Sequence, residues 1–308
     1  MSKRGERLWG IDLGGTKIEI VVCENVDGEL LSVYRHRTST DREKGYDSIL
    51  NTIAALVDQA CANCSEAPER LGIGTPGVLD PTTRLLKNSN TLCLNGMPIE
   101  RDLSARLGIP VVLANDANCF ALAEARFGAG RGGDLVFGVI MGTGVGGGVV
   151  IEGKARYGFQ GIAGEWGHTV LDRSGPPCYC GKQGCVEAFL SGPALEARYQ
   201  LLAGEPCSLR EISERVLMGE SAANRLRDFA REAFVRAIAP VINILDPDKI
   251  VLGGGVSNLD WFYDEDIFRG SHEVFNTSVR NAIVRHELGD SAGVFGAALL
   301  VAKTERDE

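Results

Sequence analysis

Apolar and polar positions along this chain fall into short blocks separated by glycine turns, and the period of the blocks changes along the way. LWGIDLGGTKIEIVVC (8–23) is two apolar runs around a Gly-Gly turn, the pattern of a β-hairpin. LSVYRHRTS (31–39) predicts a third strand. Over 45–60 the period lengthens, and Ile49, Ile53, Leu56, Val57 and Ala60 fall on one face of a helix. RLGIGTPGVL (70–79) predicts a strand that breaks at Pro76 and Gly77. PIERDLSARLG (98–108) predicts a helix closed by Gly108, and IPVVLAND (109–116) a buried strand. ANCFALAEARFGAG (117–130) continues as a helix that ends in glycines.

The pattern then begins again. DLVFGVIMGTGVGGGVVIEG (134–153) reads strand, glycine turn, strand, an echo of 8–23. The echo points to two related halves with one phosphate-sized turn in each. Residues 186–239 are mostly helical by pattern, KIVLGGGVS (249–257) is a strand followed by a glycine turn, and GDSAGVFGAALLVAK (289–303) predicts a final helix. Strands mixed with helices throughout make this an α/β chain. No low-complexity linker interrupts it, so a domain boundary is expected to be compact and near Asn115.

Composition adds three constraints. With 32 Lys+Arg against 41 Asp+Glu, the net charge is −9, and neither nucleic acid nor a membrane surface is expected as a partner. No apolar stretch approaches a membrane span, and the first residues lack the apolar core of a secretory signal, so a cytoplasmic location is expected. Glycine is 39 of 308 residues, where a typical share gives about 22. Cysteine is 9, and in a reducing compartment so many thiols call for something other than a disulfide framework.

The glycine surplus gathers in three turns: Asp12-Leu13-Gly14-Gly15-Thr16-Lys17, Gly142-Thr143-Gly144 with the glycines after it, and Gly253-Gly254-Gly255. Glycine lets backbone N–H groups approach an anion closely, and three such loops suit the phosphates and nucleoside of ATP. Taken singly, each could equally be a plain turn. Asn115-Asp116 ends a buried strand where a helix opens, the place where α/β proteins bind ligands. Asp116 therefore reads either as the helix N-cap or as a base that accepts a proton from a substrate hydroxyl. The spacing His168-x9-Cys178-x-Cys180-x4-Cys185 matches a closed Cys3His zinc site. Cys61 and Cys64 lack a second ligand pair and read as structural. Glu165 and Glu187 bracket the metal loop, and the second ring nitrogen of a zinc-bound His168 would be free for a ligand. Asn90 and Asn95 offer amides to sugar hydroxyls, or simply make a turn.

Together IDLGGTK, GIGTPG, LANDANCFALAEA, MGTGVGGGVV, AGEWGH, CYCGKQGCVEAFLSG and ILDPDKIVLGGGVSN resemble the ROK family of sugar kinases and repressors, essentially end to end. The resemblance implies a two-domain actin/hexokinase-like (ribonuclease H-like) fold with a cleft. The division it suggests is a smaller domain of 1–115 plus 293–308 and a larger one of 116–292 carrying the zinc loop. By position, Asp116 corresponds to the catalytic base that deprotonates the sugar hydroxyl, usually on C6, for attack on the γ-phosphate. Asp12, Gly14, Gly15 and Thr16, with Lys17 closing the turn, correspond to the first phosphate motif, with Asp12 near Mg2+. Gly142, Thr143 and Gly144 correspond to the second motif, and Gly254 and Gly255 to the adenosine motif. Asn115, Glu165, His168 and Glu187 correspond to sugar-binding positions. The implied cofactors are ATP, Mg2+ and structural Zn2+, and the implied assembly is a homodimer. Family repressors carry a DNA-binding domain before the sugar domain, and Asp12 here follows only eleven residues, so an enzyme is expected before a sugar-sensing regulator. KNSNTLCLNGMPIERDLSARL (87–107) looks closest to fructokinases that also take mannose. N-acetylglucosamine and N-acetylmannosamine kinases are the alternative: Cys93 stands where the fructokinase pattern tends to have Trp, and a smaller residue there leaves space for an N-acetyl group.

Overall fold

The computed structural model describes residues 6–302. Its first half is built on strands β1 (Arg7–Leu13), β2 (Lys17–Val26), β3 (Glu29–Ser39), β4 (Leu71–Thr75) and β7 (Val111–Asn115), with the short pair β5 (Val78–Leu79) and β6 (Leu86–Lys87) to one side. Helices α1 (Tyr46–Cys64), α2 (Ile99–Leu107) and α3 (Asp116–Phe127) complete it. The second half holds β8 (Leu135–Met141), β9 (Val145–Ile151), β10 (Lys154–Arg156), β11 (Lys249–Gly253) and β12 (Ala282–Arg285). Its helices are α4 (Glu187–Leu190), α5 (Gly192–Ala203), α6 (Leu209–Leu217) and α7 (Ser221–Leu245), and α8 (Ala292–Leu299) follows β12.

The two five-stranded sheets have one topology. The first runs β3-β2-β1-β4-β7 and the second β10-β9-β8-β11-β12. In each, two antiparallel pairings lead into two parallel ones. The hairpins 8–23 and 134–153 are thus the same part of the same sheet twice over, which accounts for the echo in the sequence. α1 buries Ile49, Leu50, Ile53, Leu56, Val57 and Ala60 against Ile11, Ile18, Ile20 and Val22 of the first sheet. α7 buries Leu226, Phe234, Ile238 and Ile242 beside Phe137, Val139 and Leu252 of the second.

A third core joins the halves. α3 packs on β8 and β9, α8 packs on β1 and β4, and the two helices pack on each other. Phe120, Ala121, Val294 and Ala298 meet Val21, Val136, Val150 and Val251 there. The approach is close enough to demand glycine. A Cβ on Gly296 of α8 would lie 1.8 Å from the Cys119 carbonyl oxygen of α3, and one on Gly72 of β4 would lie 1.8 Å from the Ala297 carbonyl oxygen. A fully buried carboxylate closes the far end. Glu124 accepts hydrogen bonds from the N–H groups of Ala129 (3.0 Å), Glu287 (3.1 Å) and Leu288 (2.9 Å), tying the end of α3 to the segment between β12 and α8. No helix among the described residues is long and apolar enough to cross a membrane. Replacing Glu124 with Ala strands three buried donors, so urea unfolding of Glu124→Ala should show a loss of about 3 kcal/mol or more, and Glu124→Gln a smaller one.

Candidate active site

The strand ends of the first sheet bring the acidic groups together. Asp12 of β1 lies beside Gly74 of β4, and Thr75 of β4 lies beside Asn115 of β7, so Asp12 and Asp116 share one edge. Asn115 caps α3: its Oδ1 accepts from Ala117 N at 2.9 Å, and its Nδ2 donates to the Gly77 carbonyl at 3.2 Å. That resolves the alternative left open at Asp116. Asp116 is the first helical residue, not the cap, although its Oδ1 shares the same Ala117 N–H at 2.9 Å. The Asn115 amide expected for a sugar is engaged at both ends by the protein.

These carboxyls are electrostatically crowded. Burial pushes Asp116 up to about 6, and the nearby Glu165 carboxylate adds to the shift. Burial, then the charge of Asp116 and then that of Glu19, push Asp12 up to about 7. Glu165 is also raised, by burial and then by Glu187, against the pull of His168. Each of these groups is stabilised by an arriving cation or by taking a proton. A divalent cation beside Asp12 fits that demand.

The first glycine turn is held by its carbonyls. Gly14 N donates to Lys17 O at 2.9 Å, Thr40 N to Thr16 O at 3.0 Å, and Thr40 Oγ1 to Gly14 O at 2.7 Å. The N–H groups of Gly15 and Thr16 have no protein acceptor among the described residues and remain available to an anion. Thr16 and Lys17 are exposed. The second turn is closed by Gly142 N to Gly144 O at 2.8 Å, with Thr143 exposed at its tip. The third follows β11. Gly254 has φ 80°, and a Cβ there would lie 2.5 Å from the Met141 carbonyl oxygen, so the second and third turns abut; Gly255 is open. Glu187 joins the second turn to the rest, its Oε2 accepting from Val145 N at 2.9 Å.

The cysteine loop folds as a compact knuckle. Cys178 N donates to Lys182 O (2.8 Å), Gly181 N to Cys178 O (3.0 Å), and Val170 bridges Cys185. The donor atoms of His168, Cys178, Cys180 and Cys185 all lie within 4.8 Å of one another. Cys180 Sγ is 3.6 Å from Cys185 Sγ, and Cys178 Sγ is 3.6 Å from His168 Nδ1. A tetrahedral zinc site with thiolate and imidazole ligands sets donor separations of about 3.5–3.8 Å, so the set fits that ion. None of the nine cysteines is in a disulfide. The expected ligand-facing nitrogen, His168 Nε2, meets the Tyr179 hydroxyl at 3.0 Å. Trp166, buried between Glu165 and Gly167, donates its indole N–H to Ala237 O at 2.8 Å and so anchors the Glu165–His168 segment to α7. Sequence reading did not give Trp166 or Thr40 a role, and only the short spacing of Trp166 to Glu165 and His168 could have signalled it.

The two asparagines of the 88–95 loop differ. Asn95 makes the turn, accepting from Ser89 N (2.8 Å) and donating to Ser89 O (2.9 Å). Asn90 is exposed beside Gly15. Cys93 packs on the first core with its thiol 3.8 Å from the Arg42 carbonyl, a position that lends no support to the argument from pocket space.

A sequence profile of the ROK family matches residues 8–304. An N-acetyl-D-glucosamine kinase of Haemophilus influenzae is 39% identical over 304 residues, covering 95% of this chain and 98% of that protein. The crystal structure of a ROK hexokinase from Thermus thermophilus is 33% identical with a TM-score of 0.81, covering 96% of this chain and 97% of the other. A ROK family glucokinase from Streptomyces griseus, solved with glucose and AMPPNP, is 31% identical with a TM-score of 0.76, covering 96% and 99%. With the family profile covering nearly the whole length and relatives above 30% identity across it, the chain belongs to the ROK family.

Proposed function

We propose that this chain is an ATP-dependent sugar kinase acting on N-acetylglucosamine, at the C6 hydroxyl. The observation that carries the kinase reading is Asp116: a carboxylate at the first position of α3, raised to about 6 among other acids, next to the first phosphate-sized turn. Fructose and mannose, favoured from the 87–107 stretch, give way to the N-acetylhexosamine alternative because the similar curated proteins are N-acetyl-D-glucosamine kinases.

In this reading the N–H groups of Gly15, Thr16, Thr143 and Gly144 hold the phosphates, Gly254 and Gly255 face the adenosine, and Lys17 adds charge. Asp12 receives the Mg2+ that arrives with ATP. Asn90, Glu165, His168 and Glu187 orient the sugar, while Asn115, expected among them, is committed to Gly77 O and Ala117 N and so holds the start of α3. His168, Cys178, Cys180 and Cys185 would hold a Zn2+, which would supply rigidity there, and the other nitrogen of His168 meets the sugar once Tyr179 gives way. Asp116 takes the hydroxyl proton as the oxygen attacks phosphorus. The halves, 1–115 with 293–308 and 116–292, act as lobes that close on the sugar and keep water from the phosphate. A cytoplasmic homodimer completes the proposal.

Coupled ADP release over a sugar panel should show kcat/KM highest for N-acetylglucosamine, ahead of N-acetylmannosamine, mannose, fructose and glucose; no stimulation by any sugar would leave the sugar-sensing reading standing. Asp116→Asn should cost about 10²–10⁴-fold in kcat. With the parent base raised to about 6, turnover should fall as pH drops through 6. Because the folded value lies above the unfolded one, the charged group opposes folding at high pH. Asp116→Asn should therefore be the more stable protein at pH 8, with the difference gone near pH 4. Metal analysis should find about one zinc per chain, and chelation should weaken sugar binding before it unfolds the second sheet.

A further inference from the structure

The first phosphate turn carries a companion. Thr40 is fully buried, and its two hydrogen bonds to Gly14 O and Thr16 O fasten the chain after β3 directly onto that turn. A short helical turn, Arg42–Lys44, follows at once. Its two cations have different surroundings. Lys44 pairs with Asp41. The Arg42 guanidinium has no carboxylate partner among the described residues, whereas Arg35 and Arg37 are both committed to Glu19. The Arg42 carbonyl is held by Gly45 N at 3.2 Å and by the Cys93 thiol at 3.8 Å. Its side chain reaches back over the phosphate turn, where a Cβ on Gly15 would lie 3.5 Å from Arg42 Nη1, 3.7 Å from Thr91 Oγ1 and 4.0 Å from Asn90 Oδ1.

We propose that Arg42 is a catalytic residue whose guanidinium contacts the phosphoryl group in transit from ATP to the sugar. This rests on the kinase reading above. The cleft edge is acidic, with the charge of Asp116 raising Asp12 and that of Glu165 raising Asp116. A polyphosphate brought there needs fixed positive charge at the position where charge develops. A guanidinium presents paired donors that match two phosphate oxygens, and it keeps its charge at every working pH. In the loose transition state, charge spreads over three equatorial oxygens while the bond from phosphorus to the ADP oxygen breaks and the bond to the sugar oxygen forms. The hydroxyl proton passes to Asp116, so Arg42 exchanges no proton and acts through charge alone. The Thr40 clamp joins the arginine turn to the amides of Gly15 and Thr16, so donors and guanidinium are fixed relative to each other before substrate arrives.

The test uses Arg42→Ala and Arg42→Lys in the full chain, with N-acetylglucosamine-dependent ADP release and thermal melting. An exposed arginine without an ion pair should leave the melting midpoint of both variants unchanged. The expected kcat of Arg42→Ala is at least about 100-fold below the parent, with the sugar KM within about threefold. Arg42→Lys should fall between the two, because a point charge lacks the fork. Guanidinium ion at non-denaturing concentration should restore about tenfold of the Arg42→Ala rate, a rescue that a merely structural role would not produce. A kcat within about threefold of the parent, a loss confined to KM, or no rescue overturns the proposal. No sugar-dependent ADP release by the parent would overturn the kinase reading and the Arg42 assignment with it, an outcome distinct from an active parent whose Arg42 variants are unimpaired.

Discussion

The contact between α3 and α8 is the constraint on which the rest of the site depends. Two helices pressed together between two sheets can approach this closely only where a side chain vanishes, and Gly296 supplies that place, as Gly72 does where β4 meets α8. The contact fixes the axis of α3, and with it the direction in which its first residue, Asp116, presents a carboxylate. The same helix carries Glu124 near its far end, where it accepts from Ala129 just after the helix and from Glu287 and Leu288 on the connection from the second sheet back to α8. One helix therefore carries Asp116 at one end and the tie between the halves at the other.

Charge is the second organising feature. Asp12 and Asp116 lie at the same end of the first sheet, on strands separated by β4, with raised affinities for protons, and Glu165 is raised as well. Such a site is unfavourable on its own and becomes favourable with cations. The protein provides for this on the facing turn, where carbonyls are tied back by Thr40 and amides are left open, with Arg42 above them. Acid at the base and positive charge at the phosphate is the polarity that in-line phosphoryl transfer to a hydroxyl requires.

The metal loop and the Trp166 anchor serve one end. The Glu165–His168 segment is a single short 3-10 turn, Trp166–His168, and an element that short depends on outside support. It is held from one side by the indole of Trp166 in the second core and from the other by a four-donor cluster whose spacing suits zinc. Neither support uses the carboxylate of Glu165, and Glu187 reaches the second turn through Val145 N instead.

Much of this was legible in one dimension because the relevant signals are local. The β1–β2 and β8–β9 hairpins, α1 and the Cys3His spacing each lie within a few residues to a few turns, and period or spacing is enough to read them. The division of labour at Asn115-Asp116 was not legible, since either side chain can cap a helix and only the carbonyl of Gly77, 38 residues away, engages the Asn115 amide. Cys93 and Asn95 were equally open until the Arg42 carbonyl and the Ser89 backbone claimed them. Thr40 and Arg42 carried no motif at all, because what distinguishes them is a turn 26 residues earlier in the chain. Sequence by itself determined which segments become strands and turns and which His and Cys residues form one donor cluster, since those follow from short-range periodicity and spacing. Only the tertiary structure decided which polar groups are consumed by the protein and which are left facing the cleft, because a hydrogen bond between distant segments exists only once packing has brought them together.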